Sequence, residues 1–192
     1  MTAPRVIAYI ASSVNGYIAD EKGTEEWVHP ASWKRFVKVA ERFGNLIAGV
    51  ETFKLLAPLP ELKEVYKVCL SKTLYELNGE LDFLPKQGFI WPTPETAIGD
   101  VQFHGYKDVL VAGGSQTLGS FIASDWLDEL WVDVEPSLLG SGTLMLPPRL
   151  SITHSYDTGR FLKRLHLIDC TPEGDEVFLC YRIEKEQEQS GT

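Results

Sequence analysis

The stretch Asp108-Val-Leu-Val-Ala-Gly-Gly-Ser-Gln-Thr-Leu118 decides the fold, because it joins a strand to a helix through two glycines. Its first part is short, apolar and β-branched, which is typical of a strand covered on both faces. A helix with one apolar side is predicted from Ser115 to about Ser124. Gly113 and Gly114 permit a sharp turn and leave the first helical amides open to a phosphate. The same pattern also fits a tight turn that holds no ligand.

The same unit, a short apolar strand followed by a helix, recurs along the chain. Strands are predicted at residues 5–11, 46–50, 65–70, 88–91, 108–112 and 130–135, and helices at residues 30–43, 51–56, from 94 onward and 115–124. Alternation of this kind predicts an α/β fold whose mostly parallel central sheet carries helices on both faces. Two longer strands, at residues 160–170 and 176–185, close the chain as an antiparallel hairpin.

Length and composition limit the organisation of the chain. A sequence of 192 residues with 44% apolar content fits one well-packed domain. We expect this domain at residues 1–186 and a flexible tail at residues 187–192. The apolar segment at residues 6–11 is too short to cross a membrane, and no signal-peptide cleavage pattern follows it. We therefore expect a cytoplasmic protein with no membrane partner.

Charge and cysteine content exclude further classes of function. A net charge of −9 argues against a nucleic-acid partner, because such surfaces need clustered basic residues. Cys69, Cys170 and Cys180 are odd in number and lack paired spacing. We therefore predict buried reduced thiols and neither disulfides nor a metal site.

Three more strand ends carry candidate ligand-binding residues. The loop Ser12-Ser-Val-Asn-Gly-Tyr-Ile-Ala19 and the turn Gly49-Val-Glu-Thr-Phe53 leave the carboxyl ends of two strands, where open parallel sheets bind ligands. Asp133 and Glu135 are two residues apart on the last parallel strand, so their carboxylates share one face. Plainer interpretations are an ordinary loop, a helix cap at Thr52 and a strand end that is already solvated.

Together these blocks, with Asp128-Glu-Leu-Trp-Val-Asp-Val-Glu-Pro-Ser-Leu-Leu-Gly-Ser-Gly142, resemble the dihydrofolate reductase superfamily. The resemblance is specifically to the branch typified by the reductase domain of the riboflavin-biosynthesis deaminase-reductase. It extends from Arg5 to the closing hairpin and implies a dihydrofolate reductase-like fold. The zinc signature of the linked deaminase is absent from the sequence. Relatives of this branch form dimers, so the resemblance implies a homodimer.

The resemblance also implies where NADPH would lie. Residues expected at the nicotinamide are Ala11, Ile18 and Ala19. Residues expected at the pyrophosphate are Gly49, Thr52, Gly113, Gly114, Ser115, Gln116, Thr117 and Leu118, and those expected at the adenosine phosphate are Ser71 and Lys72. Asp133 matches a position that lines the heterocycle pocket, and Glu135 follows it on the same face. These two carboxylates are the candidate catalytic residues.

Two departures from the family pattern bear on function. Taking Trp27 and Pro30 as landmarks, the catalytic acid of dihydrofolate reductases is replaced by Ser32. The Gly-x-x-Thr turn lacks the arginine that commonly binds the 2′-phosphate and has Val50 and Glu51 instead. The choice between NADPH and NADH therefore stays open, with Lys72 or Lys54 as substitute cations.

The sequence leaves three functions in play. The first is NADPH-dependent reduction of a small pyrimidine- or pterin-like heterocycle, resembling the 5-amino-6-(5-phosphoribosylamino)uracil reductase of riboflavin biosynthesis. The second is reduction of an unrelated carbonyl or imine on the same fold. The third is a non-catalytic module that binds a dinucleotide.

Overall fold

The structure, a computed structural model, describes residues 3–72, 88–148 and 163–185. The loop expected at residues 78–87, the first residues of the strand expected from 160 and the flexible tail lie outside these ranges. The extent of the domain therefore stays a prediction.

The described residues form strands and helices in the expected alternation. The strands are β1 (Arg5–Ser13), β2 (Tyr17–Ala19), β3 (Asn45–Gly49), β4 (Tyr66–Leu70), β5 (Gly88–Trp91), β6 (Asp108–Val111), β7 (Glu129–Glu135), β8 (Thr143–Leu144), β9 (Leu165–Glu173) and β10 (Glu176–Ile183). The helices are α1 (Pro30–Phe43), α2 (Val50–Leu56), α3 (Pro94–Phe103) and α4 (Ser115–Ala123), with a 3-10 turn at Pro60–Leu62.

Eight strands make one sheet in the order β5-β4-β3-β6-β1-β7-β10-β9. The pairs from β5 to β7 are all parallel, and β10 joins β7 and β9 antiparallel. The predicted mostly parallel sheet with a closing hairpin is confirmed. Because the parallel strands run in one direction, the loops after β1, β3, β6 and β7 all leave the same edge of the sheet.

Two apolar cores cover the two faces of the sheet. One contains Phe36 and Ala40 of α1 with Phe53 of α2. The other contains buried apolar residues of α3 and α4, among them Val101 and Phe121. Helices therefore lie on both faces, as the continuous apolar character of the central strands predicts.

Helix α1 has the limits that its sequence predicts. Pro30 occupies the first turn, where its missing N–H costs no hydrogen bond. Gly44 ends the helix with φ 70° and donates its N–H to Ala40 O at 2.9 Å. A left-handed residue at this position is the usual helix stop, and glycine adopts it without strain.

Some features differ from expectation. The sequence analysis missed β2 and β8, which pair with each other in a separate two-stranded sheet. The prediction that all three thiols are buried is wrong for Cys170, which is exposed because β9 is the edge strand. Within the described ranges, no helix is long and apolar enough to cross a membrane, and no group of histidine, cysteine or carboxylate side chains is placed to hold a metal ion.

Candidate functional site

The junction between β6 and α4 lies at the sheet edge where the loops converge. Gly113 has φ 89°, a left-handed conformation that few other residues adopt, and the peptide bond to Gly114 is cis. Gly114 caps α4 without a side-chain hydrogen bond, and the first turn of α4 has no acidic residue. The amides at the start of α4 are therefore available to an anion, and the helix dipole favours one.

The turn after β3 packs directly against this junction. The Gly49 N–H donates to Gly113 O at 3.1 Å. A Cβ on Gly49 would collide with the Thr117 hydroxyl, and a Cβ on Gly114 would lie 3.4 Å from Thr52 Oγ1. The structure thus brings together five residues that the sequence analysis assigned to the pyrophosphate. Because Gly49 and Gly114 lack side chains, the turn after β3 and the junction of β6 and α4 can approach each other this closely.

The loop after β1 is fixed by the loop after β7. Asn15 donates its side-chain amide to Leu139 O at 2.7 Å and accepts from Leu139 N at 3.2 Å. The Val14 N–H donates to Ser137 O at 3.0 Å. Gly142 has φ 139° and leaves no room for a Cβ beside the Ala19 carbonyl. The loop after β1 and the block at residues 128–142 therefore form one structural unit.

The residues expected around the nicotinamide occupy different environments. Ala11 is half-buried on β1, opposite Asp133 in the sheet register. Ile18 packs into the apolar core, whereas Ala19 is half-buried.

The adenosine end of the expected cofactor site is described only in part. Ser71 is buried, and its N–H donates to Trp91 O at 2.9 Å. Lys72 is exposed and is the last described residue before the gap.

A buried polar network lies on the α1 face of the sheet, centred on Asp133. This side chain is fully buried, so the interpretation of a solvated strand end is wrong. The Tyr9 hydroxyl donates to one carboxylate oxygen of Asp133, and the Arg35 guanidinium donates to the other. Arg35 also binds Glu173 at the end of β9, and its guanidinium carbon lies 5.3 Å from the centre of the Phe178 ring. Burial of a carboxylate is costly unless it is partnered in this way.

Burial sets the proton affinities in this network. It raises the pKa of Asp133 from 3.8 to about 6, and the nearby Glu135 and Glu176 charges add to this, while Tyr9 and Arg35 oppose it. Burial, followed by the Asp133 charge, also places the pKa of the Tyr9 phenol far above its ordinary value. Tyr9 therefore acts as a hydrogen-bond donor to Asp133.

The pKa of Asp133 predicts a pH-dependent contribution to stability. Because its folded pKa of about 6 exceeds the usual 3.8, the unfolded chain releases this proton first. The stabilisation present below about pH 4 is thus lost as the pH rises through 6. Between about pH 4 and pH 7, wild type should lose roughly 3 kcal/mol of unfolding free energy relative to Asp133→Asn. Urea denaturation across this range checks it, and a pH-independent difference between the two proteins would contradict it.

A second polar group lies next to the first, around Ser32. The Ser32 hydroxyl donates to Glu176 Oε2 at 2.9 Å, and His29 Nδ1 lies 2.6 Å from Glu176 Oε1. The His29 backbone N–H donates to Glu135 Oε2 at 3.1 Å. Glu135 Oε1 is buried and has no hydrogen-bond partner among the described residues. A carboxylate from β10 therefore stands beside the serine that replaces the family's acid.

Sequence reasoning missed several members of these two groups. They are Tyr9, Arg35, Glu173 and Glu176. The sequence indicated these residues only indirectly, because two carboxylates on an apolar strand need hydrogen-bond or charged partners when they are buried. The identity of the partners depends on the register of β7 between β1 and β10, which no local pattern reveals.

Comparison with known proteins decides the family. Residues 4–171 match the family model of the RibD C-terminal domain. The chain belongs to the RibD C-terminal domain family. This confirms the resemblance drawn from the sequence. Protein YwjB of Bacillus subtilis (strain 168) is 25% identical over 146 residues, which cover 72% of this chain and 80% of YwjB.

Solved structures of RibD-like and related proteins share the fold. A protein from Shewanella sp. PV-4 assigned to riboflavin biosynthesis superposes with a TM-score of 0.73 at 22% identity, covering 94% of this chain and 99% of its own. Dihydrofolate reductase from Enterococcus faecalis, complexed with NADP(H), gives a TM-score of 0.66 at 17% identity. The superposition covers 94% of this chain and 97% of the reductase. At these identities the likeness establishes a dihydrofolate reductase-like fold.

Proposed function

We propose that this protein is an NADPH-dependent reductase of a small pyrimidine- or pterin-like heterocycle. The observation that carries the proposal is the junction of β6 and α4, where two glycines expose uncapped helix amides beside Gly49 and Thr52. Membership of the RibD C-terminal domain family supports it, as does the fold shared with an NADP(H)-bound dihydrofolate reductase.

The residues present fit the pyrophosphate of a dinucleotide. The amides of Ser115 and Gln116 would donate to its oxygens, and the Thr52 hydroxyl lies close enough to Gly114 to join them. The bound cofactor would supply a hydride, and the protein would orient the ring and exclude water. Ala11, two residues before the carboxyl end of β1, would flank the nicotinamide.

The first turn of α2 bears on the choice between NADPH and NADH. Glu51, an exposed carboxylate in the first turn of α2, stands where the family commonly has arginine, and Lys54 lies 3.8 Å from it. A carboxylate at such a place suits a ribose hydroxyl better than a 2′-phosphate. Parallel titrations with NADPH and NADH measure the preference directly.

The substrate would lie on the α1 face, near the two polar groups. Both oxygens of Asp133 are already bound by protein donors. Asp133 is therefore better placed to hold Tyr9 and Arg35 than to contact a ring. Glu135 has one oxygen without a hydrogen-bond partner in the described part of the chain, so it is better placed for the contact that the sequence analysis assigned to this pair.

One assay tests the function and separates it from the two alternatives. NADPH oxidation is followed by absorbance with ribosylaminopyrimidines, pterins, simple imines and quinones. Turnover with a ribosylaminopyrimidine or pterin supports the proposal. Turnover confined to imines or carbonyls favours the alternative reductase, and tight NADPH binding without turnover favours the non-catalytic module.

Dihydrofolate should be a poor substrate. The Ser32 hydroxyl is no acid, and the neighbouring Glu176 has both oxygens engaged by Ser32 and His29. General acid catalysis contributes about 100- to 10,000-fold, so turnover should fall short of an ordinary dihydrofolate reductase by roughly that factor. Steady-state NADPH oxidation with dihydrofolate, measured beside a dihydrofolate reductase from acidic to neutral pH, checks this. Equal rates would show that another group supplies the proton.

A further inference from the structure

Three carboxylates on the α1 face are buried, and they differ in how well they are satisfied. Asp133 binds Tyr9 and Arg35, and Glu176 binds Ser32 and His29. Glu135 is 1% exposed, yet only its Oε2 has a partner among the described residues, the backbone N–H of His29. A buried carboxylate oxygen without a donor is costly, so Oε1 calls for a partner that the described residues do not supply.

The charges around Glu135 determine what that partner can be. Asp133 and Glu176 lie close enough for their charges to act on one another, and Arg35 is already shared between Asp133 and Glu173. A phosphate or carboxylate would meet like charge at this position. A group with N–H donors, neutral or cationic, would complete the hydrogen bonding and reduce the repulsion.

We infer that Glu135 anchors the aminated edge of a nitrogen heterocycle, an edge that presents an amino group or an amino group beside a ring N–H. This deepens the proposed function and rests on it for the identity of the site as a substrate site. Oε1 would accept the first N–H, and Oε2 keeps a lone pair for a second while it holds His29. The Glu135 carboxylate comes from β7, whereas Ser32 stands where the family has its acid on α1.

The probe is 2,4-diaminopyrimidine, and its matched control is uracil, which presents carbonyl oxygens where the probe presents amino groups. We expect wild type to bind the probe at least about tenfold more tightly than uracil, because the amino groups of the probe donate to the carboxylate without bringing a carbonyl oxygen against it, whereas each ring N–H of uracil lies beside a carbonyl oxygen that would be repelled. Glu135→Gln should abolish this difference. Glu129→Gln is the matched variant, since Glu129 lies on the same strand β7 and binds Arg5 and Trp131 away from this group; it should retain the difference.

A measurement on wild type keeps the test independent of whether Glu135→Gln folds. The His29 backbone amide is bonded to Glu135, so its NMR resonance should move on titration with 2,4-diaminopyrimidine and stay in place with uracil. Equal affinities for the two probes, or a His29 amide that does not respond, would overturn the inference and indicate that water satisfies Glu135. Probe binding with no NADPH binding would leave the Glu135 site standing and remove the reductase proposal.

Discussion

Gly114→Asp should abolish high-affinity NADPH binding while leaving the fold intact. Gly114 is the N-cap of α4 and has φ −78°, which any residue can adopt. Aspartate is a favoured N-cap because its carboxylate accepts from the first helical amides. Those are the amides that would otherwise bind the pyrophosphate, so the variant blocks the site with its own charge. We expect affinity to fall by about 100-fold or more, roughly 3 kcal/mol, with unchanged or slightly higher stability.

Fluorescence titration with NADPH and thermal melting measure the two effects. Gly99→Asp is the matched control, since Gly99 lies on the exposed side of α3 with no atom near its Cβ position. Gly114→Ala should cause a smaller loss, because it adds bulk near Thr52 without charge. If Gly114→Asp binds NADPH as wild type does, the junction is not part of the cofactor site.

Arg35→Met should be the most destabilising of the single substitutions considered. Methionine keeps an unbranched apolar side chain but leaves the buried carboxylate of Asp133 without its cation. Removing one partner of a buried ion pair costs about 3–5 kcal/mol. The loss should shrink at about pH 5, because Asp133, with a pKa of about 6, is then protonated and carries no charge.

Denaturant unfolding of matched variants tests the role of Arg35. Lys38→Met on the same helix removes an exposed charge and should change stability by less than about 0.5 kcal/mol. Adding Asp133→Asn to Arg35→Met should recover part of the lost stability, because no unpaired charge then stays buried. If Arg35→Met lowers the free energy of unfolding by less than about 1 kcal/mol, the Arg35–Asp133 pair contributes no more than an ordinary surface ion pair.

The sequence predicted the main elements well where local chemistry marks their limits. Helix α1 begins at Pro30 and stops before Gly44 as expected, because each residue constrains the backbone at its own position. The short pair β2 and β8 escaped prediction, since two or three residues show no periodicity. Cys170 was misjudged because an apolar run does not reveal whether its strand lies at the centre or the edge of the sheet.

The residues of the candidate site likewise separate into those that local sequence predicts and those that depend on tertiary structure. Gly49, Thr52 and the diglycine could be found from the sequence, because each lies at a strand end and parallel strands end together. The partners of Asp133 could not, since Tyr9 and Arg35 are distant in sequence and reach it only through strand register and helix packing. The position of Ser32 could be matched to the family pattern, but its neighbour could not be predicted. Glu176, which binds Ser32, lies on a strand much later in the chain.

The hairpin of β9 and β10 is translated after the parallel strands, so the residues of the site are synthesised in two stages. Arg35 and Asp133 are translated well before Glu173 and Glu176, which flank the hairpin turn. A ribosome-bound chain that stops after β7 therefore has the central parallel strands but lacks the residues that engage Ser32 and complete the shell around Arg35. The two polar groups can be completed only after the hairpin has been added at the edge of the sheet, so we expect their assembly to be a late co-translational or post-translational event.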